Sequence, residues 1–131
     1  MTISLKGTFQ ITGWDETPYN ENDDGSKQTH AKITQQYTGD IDGLSELQYL
    51  MSYTADGNAV FVGFERISCT INNKTGSVVL QHNGKFEAGV ASSHFDIVAG
   101  SGTQALAEIS GSGTFTSPNN GQAHYTLKLT N

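Results

Sequence analysis

A chain of 131 residues with one cysteine, fifteen glycines and a net charge of −6 suits one domain, large enough to bury a core without disulfide staples. Seven basic residues stand against thirteen acidic ones and form no Lys or Arg run, which argues against nucleic acid or a membrane surface as partner. Cys69 stands alone, which excludes an intrachain disulfide and a thiolate metal cluster. With no signal-like or long apolar segment, the expected setting is cytoplasmic.

Alternation of apolar and polar side chains organises most of the chain. From Ile3 to Asp15, the residues Ile3, Leu5, Gly7, Phe9, Ile11 and Gly13 share one face, and Thr8, Gln10, Thr12 and Trp14 share the other. An acidic loop is expected next, Glu16 to Gly25, holding Pro18 and Asn20-Glu21-Asn22-Asp23-Asp24. The second strand, Lys27 to Ile41, turns Ala31, Ile33, Tyr37 and Ile41 inward, and Asp42-Gly43 reads as a turn. The third, Leu44 to Thr54, sets Leu47, Tyr49, Met51 and Tyr53 on one side before the turn Ala55-Asp56-Gly57-Asn58.

The densest apolar run, Ala59 to Gly84, supplies strands four and five around a polar turn, Asn72-Asn73-Lys74-Thr75-Gly76. After Glu87-Ala88-Gly89, strand six (Val90 to Val98) carries Ala91, Ser93, Phe95 and Ile97 on its apolar face. Gly100-Ser101-Gly102 breaks the pattern, and a short helix is expected over Thr103 to Ile109, capped by Thr103. Strand seven (Ser110 to Thr116), the turn Ser117-Pro118-Asn119-Asn120-Gly121 and a strand bearing Tyr125, Leu127 and Leu129 complete the chain. The predicted fold is all-β: a closed eight-stranded antiparallel meander barrel over residues 1–131, since closure removes the exposed edges. Glycines on the apolar faces suit barrel corners, and a two-sheet sandwich is the competing architecture.

Several segments together resemble a bacterial family of small proteins, the domain-of-unknown-function 3224 family. They are Trp14-Asp15-Glu16 with Pro18-Tyr19, Thr38-Gly39-Asp40-Ile41, Tyr49-Leu50-Met51, Phe61-Val62-Gly63-Phe64-Glu65-Arg66, Gly76 through His82, and Gly100-Ser101-Gly102-Thr103 with Leu106 and Gly111-Ser112-Gly113. The resemblance covers nearly the whole chain and implies the barrel seen in allene oxide cyclase, but no reaction. The Gly-Ser-Gly-Thr turn is also similar to that of allene oxide cyclases and dirigent proteins. Glu108 and Ser110 stand where those families suggest Gly and Arg, so the turn should be built differently here. The catalytic residues of allene oxide cyclase do not align and are not carried over.

Among residues suited to chemistry, Glu65 stands out. If Phe61, Gly63, Ile67 and Cys69 face inward, Glu65 lies in the barrel, and His82 shares the apolar face of the next strand with Val78 and Leu80. Such a pair can hold and pass a proton near neutral pH, and it can equally be a structural ion pair. Tyr49 and Tyr53 would add phenols to that wall, and a single bulge would exchange the roles of Glu65 and Arg66. The other face of that strand is also apolar: Val60, Val62 and Phe64, with Leu50 and Val79 nearby, form an outer patch of the kind that marks a partner surface, here a homo-oligomer contact.

No metal site and no cofactor are expected. The acidic loop lacks calcium-loop spacing, His30, His94 and His124 fall on outward faces, and Gly100-Ser101-Gly102-Thr103 lacks the Lys of a phosphate loop. Cys69 reads as core. The leading expectation is a binding module whose interior takes a small, largely apolar molecule, with Glu65, His82, Tyr37, Tyr49, Tyr53, Phe61 and Phe95 at the ligand and Phe9 and Tyr125 in the walls. The alternatives are an isomerase or cyclase using Glu65 and His82, and a filled barrel acting through its surface. A void no larger than a water or two would exclude the interior site.

Overall fold

The computed structural model describes residues 2–117 and 122–130. Eight strands follow in order: β1 (Thr2–Glu21), β2 (Lys27–Gly39), β3 (Ile41–Tyr53), β4 (Ala59–Ile71), β5 (Lys74–Glu87), β6 (Val90–Ile97), β7 (Ser110–Ser117) and β8 (Gln122–Thr130). Each pairs antiparallel with the next and β8 returns to β1, so the meander is a closed barrel rather than a sandwich. β2, β3 and β4 alternate buried and exposed residues almost without exception, which fixes their register: a slip of one residue would expose every core side chain. The β1–β2, β3–β4 and β5–β6 turns mark what we term the upper end, and the β2–β3 and β4–β5 turns the lower end.

β1 departs most from the expected boundaries. Instead of yielding to a loop at Glu16, it continues to Glu21, and the acidic stretch is largely strand. Two register shifts, between Ile11 and Gly13 and between Pro18 and Asn20, let the long strand stay paired with β2. The first shift has a consequence for parity. Before it, Phe9 pairs with inward Tyr37; after it, Trp14 pairs with inward Ile33 and Glu16 with inward Ala31. Trp14 therefore leaves the outward face that strict alternation assigns to it, because the bulge inserts one extra residue.

The β2–β3 turn lies at Gly39-Asp40, not at Asp42-Gly43, which are part of β3. Gly39 has φ +99°, a left-handed conformation that suits glycine. The Tyr125 hydroxyl accepts the Ile41 N–H at 2.9 Å and donates to the Thr38 carbonyl at 2.9 Å, pinning both sides of this turn. β4 and β5 meet through Asn72 and Asn73 alone, with φ of 50° and 65°. Such a two-residue left-handed turn matches strand twist, so Lys74, Thr75 and Gly76 belong to β5. The turn expected around residues 118–121 lies outside the described residues.

The expected helix is a single 3₁₀ turn, Gln104–Leu106, with Thr103 making no side-chain cap. The reason lies in β5. Its first half has no β6 partner, and the segment before the turn takes that place. Ser77 N–H donates to Thr103 Oγ1, Thr103 N–H donates to the Ser77 carbonyl, and Val79 N–H donates to Ser101 Oγ. Leu106, buried, then closes the lower end. The Gly-Ser-Gly-Thr segment is thus spent on backbone groups that would otherwise be unpaired.

Glycines serve close packing more than bending. A Cβ at Gly63 would collide with the Gln48 carbonyl and the Tyr49 ring, and one at Gly84 with the Phe61 ring. These two positions make room for aromatic rings laid flat along the inner wall.

Candidate functional site

The interior carries a polar belt at mid-height. Glu65 faces inward, 1% exposed, and Arg66 faces out. The parity of β4 is therefore the one in which Phe61, Ile67 and Cys69 are core. His82, 2% exposed, lies on the adjacent strand, and its Nε2–H donates to Glu65 Oε1 at 2.6 Å. Tyr37 donates its hydroxyl to Glu65 Oε2 at 2.5 Å, and Ser93 Oγ lies 3.0 Å from His82 Nδ1. The result is a continuous chain, Tyr37–Glu65–His82–Ser93, contributed by β2, β4, β5 and β6. A carboxylate so buried needs these donors, since an unpaired ion there would cost several kcal/mol. Burial first, and then the Glu65 charge, push the Tyr37 and Tyr49 phenols well above their ordinary range.

Aromatic rings enclose the belt. Phe95, Phe115 and Tyr49 pack around the His82 ring, tilted or edge-on, at centroid distances of 5.1, 5.7 and 5.5 Å, and Phe61 packs on Tyr49 at 4.5 Å. Sequence reading missed two members. Gln35 and Ser45, neighbours across β2 and β3, are both buried. Strict alternation could have found Gln35, which lies between inward Ile33 and Tyr37. Among the described residues, Gln35 Oε1, Ser45 Oγ and the Tyr49 hydroxyl are buried without a hydrogen-bond partner.

Above the belt lies a cavity of about 70 Å³, lined by Phe9, Ile33, Met51, Phe61 and Phe115 and reaching Trp14, Phe86 and Ser117 near the upper end. Tyr49 and Gln35 contribute to its wall, while Glu65 and His82 do not. Tyr53 does not join the Glu65 wall as expected. It sits higher, where its hydroxyl donates to Glu16 Oε2 at 2.6 Å. Thr29 donates to the same oxygen at 2.6 Å, and the Trp14 indole N–H donates to Glu16 Oε1 at 3.0 Å. Lys27 lies 5.0 Å over the Tyr53 ring. Partial burial pushes the Glu16 carboxyl up, but bonds from Thr29, Tyr53 and Trp14, with the Lys27 charge, bring it below its ordinary value.

Outside, the expected patch is present: Leu50, Val60, Val62 and Phe64 are 51%, 62%, 50% and 57% exposed. A larger concavity, about 730 Å³, is on the outer surface, over Gly13, Trp14, Lys32, Thr34, Glu46, Gln48 and Phe64. It is a broad groove across strand backs, on the opposite face of the sheet from Glu65 and His82. Cys69 is buried, with burial pushing its thiol up to about 11, as suits an inert core residue. His30 meets Gln48 at 2.9 Å and His94 meets Asp96 at 3.5 Å, both on the outer face.

A search of the curated proteins finds no match. A solved structure of similar fold comes from Shewanella oneidensis MR-1, a protein with unknown function from the DUF3224 family, at 1.84 Å resolution. It is 25% identical to this chain, with a TM-score of 0.79 over 99% of this chain and 98% of the other. The family model described as "Protein of unknown function (DUF3224)" matches residues 5–129. On that match across nearly its full length, the chain belongs to the DUF3224 family.

Proposed function

We propose that this protein is a binding barrel that takes a compact, largely apolar molecule, or the apolar end of a longer one, into its upper cavity. The observation that carries this reading is the 70 Å³ space walled by Phe9, Met51, Phe61 and Phe115 beneath a half-exposed tryptophan. Ligand cavities usually measure about 300–1,000 Å³, so the group held by the closed barrel has only a few heavy atoms. The space exceeds the liquid volume of two waters, about 30 Å³ each, and its apolar walls offer water little in return. An isomerase using Glu65 and His82 finds less support, because neither residue lines the cavity and both are hydrogen-bonded within the core.

Xenon is the appropriate probe, since it enters small apolar cavities. Xenon NMR should give a saturable shift, accompanied by shifts of Met51 and Phe61 resonances. A wild-type protein that leaves xenon unperturbed would overturn the interior site. Native mass spectrometry of protein purified from its own host would then identify a retained molecule.

The outer patch supports a second element of the proposal, self-association through β3, β4 and β5. Its four apolar side chains are bordered by neutral Gln48, Ser52, Gln81 and Asn83, with Lys85 and the Glu46–Arg66 pair beyond. In a chain of net charge −6, two copies meet with least repulsion across a face without clustered carboxylates. An apolar area on the order of 400 Å² with a polar rim is enough to centre a standard interface of about 800 Å² per partner. Val62→Glu should give a smaller species by light scattering, and an unchanged mass would sink the idea.

A further inference from the structure

We infer that Trp14 sets what the interior site admits: its indole roofs the cavity, and Glu16 holds that roof closed. This rests on the interior-binding reading above and names the residues that control the site. Three observations carry it. The register shift between Ile11 and Gly13 carries Trp14 onto the inner face, opposite Ile33. Trp14 lines the cavity while remaining 48% exposed, so it stands between the cavity and solvent. Its N–H is fixed by Glu16, whose second oxygen is held in turn by Tyr53 and Thr29.

The arrangement explains why a cavity this small sits beneath an exposed aromatic. The other walls are buried or partly buried side chains, whereas Trp14, in β1, is half-exposed and its indole N–H donates a hydrogen bond to Glu16 at the rim. Swinging it outward breaks that bond and opens the cavity upward, adding roughly the volume of the bicyclic ring. The admitted group is then a flat aromatic or a short branched alkyl, and not a charged one, because among the described residues no cationic or anionic side chain lines the cavity. Glu16 acts through Trp14 and is a positioning residue.

Trp14 is the only tryptophan of the chain, so its own fluorescence reports the roof. Glu16→Gln should raise quenching of that fluorescence by acrylamide and speed xenon exchange, leaving the xenon shift itself unchanged. Trp14→Ala should bind free indole at least about tenfold more tightly than wild type, since engineered apolar cavities take rings of the size removed. Trp14→Phe, which keeps an aromatic roof, should admit benzene but not indole and serves as the control for folding. Absence of either the quenching change in Glu16→Gln or the indole binding of Trp14→Ala overturns the inference. If wild type takes up xenon while those effects are missing, the roof fails and the binding site stands. If wild type takes up none while Trp14→Ala binds indole, the native binding site fails and the roof stands as what excludes ligands.

Discussion

Two carboxylates in this barrel are each gripped by side-chain donors, and they differ chiefly in depth. Glu65 receives Tyr37 and His82 at mid-barrel, almost without contact to solvent. Glu16 receives Tyr53, Thr29 and Trp14 at the upper end, half-buried. The same hydrogen-bond chemistry therefore has different consequences. At depth, a donor lost leaves a buried charge uncompensated; at the rim, water replaces the donor and the loss shows as motion rather than unfolding. The deep cluster therefore bears on stability, and the rim cluster is where the proposed control of access would act.

Breaking the deep cluster should have the largest effect. Glu65→Leu leaves His82 Nε2 unpaired and should cost about 3–5 kcal/mol in urea denaturation. The double change Glu65→Leu with His82→Leu should recover much of that, because a well-packed apolar pair often replaces a buried ionic one without loss. If the double variant is as unstable as the single, the cluster matters for more than satisfying charge. Next comes Tyr37→Phe, which removes one donor to Glu65 and should cost about 1–3 kcal/mol.

Titration sharpens the contrast. Tyr37 and Tyr49 have folded values raised above the unfolded value near 10, so their contribution is fully present below that pH. It should be lost as pH rises from about 10 toward the folded values. Urea midpoints should fall above pH ~10, and less so in Tyr37→Phe. Glu16 works in the opposite sense. Its folded value lies below 4.5, so its contribution is present above that pH and lost as pH falls through the folded value. Exposure to solvent holds this below about 1 kcal/mol, the smallest effect of the set, and Glu16→Gln should abolish it. A Glu16→Gln loss as large as that of Glu65→Leu would erase the distinction between the clusters.

Much of the deep cluster is legible in the chain. Alternation through Phe61, Gly63, Ile67 and Cys69 puts Glu65 inside, and the same rule on the next strand puts His82 beside it. Tyr37 follows from the face it shares with Ile33. The rim cluster is hidden, because a polar run with Pro18 and five consecutive Asn, Glu or Asp residues carries the signature of a loop. Only pairing with a long β2 keeps it extended, and only the bulge before Gly13 brings Trp14 and Glu16 to the inner side. The short helix between β6 and β7 shrinks to one 3₁₀ turn for a related reason: β5 outruns β6, and its unpaired backbone groups recruit residues 101–103 as a substitute edge.

Local pattern is enough to give the eight-strand meander, the inward faces of β2 to β6 and the exposed apolar patch on β3 and β4, because side-chain period and turn chemistry are local properties. Where β1 ends, which way Trp14 faces and how much of the interior is left empty follow only from the assembled barrel. Those depend on register between strands far apart in the chain and on how rings from several strands share one space, and neither is written in any single segment.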